Sequence, residues 1–75
     1  MKIQEIALSN SQKKKIQRDV TSEEVLQIDD NGDIIIHVAA YESYRETIKG
    51  RDVTPIEVAV GEGILDFSVD YFVFS

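Results

Sequence analysis

The longest nearly unbroken apolar run in the chain is Ile34-Ile35-Ile36-His37-Val38-Ala39-Ala40-Tyr41, and it follows the turn-forming tetrad Asp29-Asp30-Asn31-Gly32. A run so rich in β-branched residues predicts a central strand over Asp33–Tyr41, covered at least in part on both faces. The C-terminal stretch has a different pattern. Leu65, Phe67, Val69, Tyr71 and Val73 alternate with Asp66, Ser68, Asp70 and Phe72, the period of two of a strand with one buried and one wet face. The alternation breaks at Phe72 and Phe74. Aromatics on the nominally wet face predict a covering element or a second chain there.

At the other end, Ile3–Leu8 predicts a short edge strand, although Ile3, Ile6 and Ala7 also fit a helical stripe. Ser9 with Gln12 three residues on is a capping box, and it predicts a short polar helix reaching Asp19 with Ile16 as its one inward anchor.

Arg18-Asp19-Val20-Thr21-Ser22-Glu23-Glu24-Val25 recurs as Arg51-Asp52-Val53-Thr54-Pro55-Ile56-Glu57-Val58, with six of eight positions identical. Thr21 and Thr54 stand where a hydroxyl can cap a helical turn, Glu24 and Glu57 where a carboxylate can return the bond, and Pro55 at a first helical position. Each copy precedes a break (Asp29–Gly32 or Gly61-Glu62-Gly63) and then a strand-like run. The duplication therefore suggests two half-units, the alternative being a capping motif used twice. Pattern alone leaves open whether 22–28 and 55–60 are helical turns or strands. Tyr41–Gly50, with mixed charge, is expected to be an exposed edge or connecting loop.

These elements predict a strand-dominated α+β domain spanning 1–75: a twisted antiparallel sheet of about four or five strands with one or two short helices on one face. The expected core is Ile16, Ile34, Ile36, Val38, Leu65, Phe67, Val69 and Tyr71.

Length and composition narrow the function classes. A chain of 75 residues buries only about 60–65% of its unfolded surface, so oligomerisation or docking on a partner is an expected support. Cysteine is absent and histidine occurs once, which removes disulfides, thiolate metal sites and multi-histidine sites. No apolar run approaches a membrane span and no signal peptide is evident, so the expectation is a cytoplasmic protein of a bacterial host. Residues 1–18 hold five bases against Glu5, a net of +4. The rest carries −10, within a total of −6. Such a field repels nucleic acid and membranes and favours basic partners.

Candidate chemistry is sparse. His37 has no second histidine or cysteine with which to build a nucleophile and base. Gln27–Gly32 begins like a calcium loop, but Val38 falls where the bidentate acid is needed, so a hairpin turn is expected. Ser11-Gln12-Lys13-Lys14 and Gly61-Glu62-Gly63 lack the partner motifs of serine–lysine enzymes and phosphate loops. No catalytic, metal or cofactor residue is assigned. The residues expected to meet a partner are Asp29, Asp30, Asp33, Glu42, Glu46, Asp66 and Asp70, as a row of carboxylates, with Tyr44, Phe72 and Phe74.

Asp33–Ser43, with Glu23-Glu24-Val25 before it, resembles the central segment of the phage uracil-DNA glycosylase inhibitors. The glutamate-serine-isoleucine element of that family has no counterpart here, and the spacing from the paired glutamates to the strand differs. Membership is not assigned.

The expectation is a non-enzymatic protein-binding module, an inhibitor carried by a phage or mobile element that mimics DNA and engages a basic, nucleic-acid-binding surface of a host protein. One alternative is a self-assembling, homo-oligomeric subunit joined through the aromatic C-terminal strand. Another is a nucleic-acid-binding regulator using Lys13–Arg18.

Overall fold

The computed structural model describes residues 1–48 and 54–75, with Ile48 described in its backbone alone. Lys49, Gly50, Arg51, Asp52 and Val53 lie outside the described residues, and with them the first three positions of the second motif copy. The element order is β1 (Ile3–Ile6), α1 (Asn10–Asp19), β2 (Leu26–Ile28), β3 (Ile34–His37), α2 (Val38–Ile48), α3 (Pro55–Gly61) and β4 (Tyr71–Phe74). The class is α+β, with four strands in the order β1-β4-β3-β2. The sheet is mixed: β4 pairs antiparallel with β3 but parallel with β1, so the expectation of an all-antiparallel sheet is corrected at that edge. Among the described residues three helices are present where one or two were expected.

Two of the helices begin as the sequence specifies. Gln12 N donates to Ser9 Oγ at 3.2 Å and Ser9 N donates to Gln12 Oε1 at 2.9 Å, closing the capping box. Ile16 is fully buried and is the anchor of α1. Thr54 accepts from Glu57 N at 3.2 Å ahead of Pro55, whose missing N–H costs nothing there.

The apolar run at 34–41 divides. Strand β3 stops at His37 and α2 starts at Val38, whose N–H donates to Asp70 O at 3.0 Å. Val38 and Tyr41 are buried, Tyr44 and Arg45 half-buried, and Ala39, Glu42 and Glu46 exposed, the spacing of one helix face. Tyr41 therefore does not extend a strand, and 41–48 is helix rather than edge or loop.

The C-terminal run is corrected twice. Only Tyr71–Phe74 is strand, because Ser68 N and Ser68 Oγ both donate to Asp66 Oδ1, at 2.9 and 2.6 Å, and fold 66–68 into a turn. The buried face of β4 is also the opposite one: Phe72 and Phe74 are 0% and 1% exposed, while Tyr71 and Val73 are half-buried on the other side.

The two motif copies part company. Ser22–Val25 makes a single turn, with Val25 N and Leu26 N both donating to Ser22 O, and then enters β2, whereas 55–61 is helix. Among the described residues the two copies build different elements. Between β2 and β3 the turn is closed by Asp29 N donating to Asp33 O at 3.0 Å. Only Gly32 (φ +81°) takes the left-handed conformation, and Asn31 does not.

One cluster of buried side chains joins the three helices to a single face of the sheet. Ile16, Val20, Val38, Tyr41 and Ile56 pack over Ile34, Ile36, Phe72 and Phe74. Leu65 joins this core, and Phe67 and Val69 flank it.

Candidate interaction surface on the open face of the sheet

Because the helices share one side, the second face is left without a covering layer among the described residues. Strand register places its side chains. Ile3, Tyr71 and His37 form one row across β1, β4 and β3, since Ile3 pairs with Tyr71 and Tyr71 with His37. Glu5, Val73, Ile35 and Gln27 form the next row, through the pairs Glu5–Val73, Val73–Ile35 and Ile35–Gln27. Ile3 is 51% exposed and Ile35, Tyr71 and Val73 are half-buried. The face is thus apolar at its centre and polar towards the flanking strands.

His37 and Tyr71 stack with ring centroids 5.1 Å apart and planes at 20°, a cross-strand aromatic pair that stiffens this end of the sheet. Beside it lies a hollow of about 80 Å³ lined by Glu24, Val25, Gln27, Ile35, His37 and Tyr71, large enough for one small side chain. Glu24 lines the hollow, and Glu5 stands on β1 on the same face.

The strongest polar cluster lies on the helical side. Tyr41 Oη donates to Glu57 Oε2 at 2.6 Å, Arg45 Nη2 donates to Glu57 Oε1 at 3.1 Å, and the Arg45 guanidinium sits 5.3 Å from the centre of the Phe67 ring. Burial, and then the hydrogen bond to Glu57, push the Tyr41 hydroxyl far above its ordinary value of 10.0. Both Glu57 oxygens are engaged, and Tyr41 holds its proton tightly. The cluster works as a strut between α2 and α3. A separate groove of about 420 Å³ runs between α1 and α3, lined by Ser11, Gln12, Lys15, Pro55 and Val58.

The carboxylates expected to form one row are dispersed. Asp29, Asp30 and Asp33 sit at the β2–β3 turn, level with Phe74, while Asp70 precedes Tyr71 at the opposite end of the sheet. Asp29 Oδ1 is occupied at home, accepting from Asn31 N and Asp33 N, both at 2.9 Å. That bonding makes 29–33 a turn, as expected, and among the described residues no group of acids and histidine could hold a metal ion. Asp70 Oδ2 accepts from Lys2 N at 2.9 Å. Asp66 is held below its ordinary 3.8 by the Ser68 hydroxyl and then by the Ser68 N–H. Glu42 and Glu46 are exposed on α2.

Tyr44, expected at a partner surface, faces inward instead: its hydroxyl donates to Asp19 O at 3.3 Å and accepts from Thr21 N at 3.2 Å. Phe72 and Phe74 belong to the core, so a subunit contact through them is corrected. Of the basic run, Lys13 is half-buried on α1, and Arg18 Nε pairs with Asp19 Oδ1 at 3.1 Å.

The residues missed in the sequence are Ile3, Glu5, Ile35 and Val73. No local signal marks them: it is the register of Ile3–Ile6 with Tyr71–Phe74 that sets Glu5 beside Val73 and so carries Val73 onto the wet face. Among the described residues no helix is long and apolar enough to cross a membrane. No protein-family model, curated protein or solved structure matches the chain.

Proposed function

We propose that this chain is a non-enzymatic binding module that presses the open face of its sheet against a protein whose contact surface is apolar at the centre and rich in lysine and arginine around it. The observation that carries this reading is the one-sided layering. Three helices cover Ile34, Ile36, Phe72 and Phe74, and nothing among the described residues covers Ile35, Tyr71 and Val73. A small domain has little apolar surface to spare, and an uncovered patch on it has the character of an interaction site. Glu5 and Glu24 beside the patch, within a chain of net charge −6, supply the complement to basic residues. Nucleic-acid-binding proteins present such basic surfaces, so an antagonist that occupies one is the most specific form of the reading.

The test is affinity capture from a lysate of the source cells, comparing the native chain with Ile35→Glu. The expected result is a protein retained at low salt, released as ionic strength rises, and not retained by the variant. Equal retention by Ile35→Glu, or retention indifferent to salt, overturns the reading.

A further inference from the structure

The open face alone is small. Four strands about 4.8 Å apart and about four residues long give a patch on the order of 250 Å², against the ~800 Å² that each side of a standard interface contributes. A specific partner must therefore continue over a border of the sheet, and the two borders differ.

At β2, Val25 O accepts from His37 N and Asp29 N donates to Asp33 O, so Leu26 and Ile28 are the residues whose main-chain groups turn outward. This border is three residues long, and Leu26 N already donates to Ser22 O at 3.0 Å.

At β1 the ladder to β4 uses the even-numbered residues: Tyr71 N donates to Lys2 O, Ser75 N to Ile6 O, and Leu8 N to Ser75 O. That parity turns the N–H and C=O groups of Ile3, Glu5 and Ala7 away from the sheet, and among the described residues no donor or acceptor meets them. All three residues are exposed. The strand contains no lysine, proline or bulge, the devices that usually blunt an edge. Its one charge is Glu5, whose side chain lies on the open face.

We propose that β1 is a strand-addition site, at which an extended segment of the partner pairs with the main chain of Ile3, Glu5 and Ala7 as a further strand, and Glu5 selects a lysine or arginine across from it. The proposal rests on reading the chain as a protein-binding module, and it names the partner's chemistry. A second copy is the poorer occupant. The two-fold antiparallel pairing that engages all three residues sets Glu5 directly against Glu5 of the other copy, between two chains of net charge −6.

The probes are two blocked peptides of alternating threonine and valine with either lysine or glutamate at the centre, titrated into the isotopically labelled protein. The lysine peptide is expected to slow amide exchange at Ile3, Glu5 and Ala7 and to bind about tenfold tighter than the glutamate peptide. Glu5→Pro removes an N–H that the ladder does not use, so it is expected to keep the fold and lose the peptide. Should that variant fail to fold, Glu5→Lys provides the same test by reversing the preference between the peptides. The proposal is overturned by absent protection of those three amides at millimolar lysine peptide, or by undiminished binding to folded Glu5→Pro. An unliganded dimer that Glu5→Pro dissociates would also overturn it, by showing that the edge pairs with itself. Capture from lysate that fails with Ile35→Glu yet survives Glu5→Pro would remove this inference and leave the binding-module reading standing. A native chain that captures nothing removes that reading.

Discussion

Ile35 and Ile36 are neighbours in one strand, and the two faces they belong to have opposite fates. On the side of Ile36, the side chains of Ile34, Phe72 and Phe74 interlock with three helices, and none is more than 1% exposed. On the side of Ile35, Val73 and Tyr71 are only half-buried, and Ile3 at the border is 51% exposed. The open face is apolar only at its centre, with Glu5 and Gln27 on the flanking strands. The difference comes from where the connections run. The chain passes over the same side of the sheet between β1 and β2 and again between β3 and β4, placing α1 against α3. Stability therefore depends mainly on one face.

Three substitutions probe that division. Phe72→Ala empties the covered face at its centre and should cost about 3–5 kcal/mol. That is a large share of the stability of any small domain, and urea denaturation followed by circular dichroism should find the variant largely unfolded. A near-native midpoint would mean that the layers do not depend on this face.

Tyr41→Phe keeps the ring and removes the bond to Glu57, so it should cost about 1.5–3 kcal/mol, the range for a hydrogen bond to a charged group. It also carries a pH signature. The folded protein raises the Tyr41 hydroxyl above its ordinary 10.0, so its contribution is complete below that value and falls away as the pH rises further. The native chain should lose stability more steeply than Tyr41→Phe on the alkaline side, as thermal melts at rising pH would record.

Ile35→Thr should matter least to the fold, costing under about 1 kcal/mol, because the position is half-buried and threonine keeps the β-branch. A loss as large as that of Phe72→Ala would show that the open face is covered in solution.

How far the sequence could be read depended on whether a feature was local. Ser9 with Gln12, and Thr54 with Pro55, are caps that act within four residues, and both helices start where these residues place them. Ile16 was evident as the one apolar residue on a polar helix. The end of β3 was obscured because Val38-Ala39-Ala40-Tyr41 continues an apolar run, and the change of period from two to 3.6 appears only when Tyr44 is counted with Val38 and Tyr41. The duplicated motif shows the limit most clearly. Thr54 caps a helix and sits ahead of a proline, whereas Thr21 precedes Ser22 and spends its N–H on Tyr44, twenty-three residues away. Similar sequence takes different form where the tertiary partner differs. The open face could not be read at all, since it follows from three helices choosing the same side.

The parallel pairing of β1 with β4 also sets a schedule for biosynthesis. The pair joins residues 68 positions apart, as in the bond from Lys2 N to Asp70 Oδ2. At about 5–20 residues per second, a ribosome takes roughly 3–14 s to cover that distance. Throughout that interval Ile3–Ile6 has been made but has no neighbour on either border, and β3 likewise waits for Tyr71–Phe74. A nascent chain stalled in this window exposes β1 on both borders and the β2–β3 hairpin on the border that β4 later fills, and it is then, rather than in the finished protein, that chaperone protection matters most.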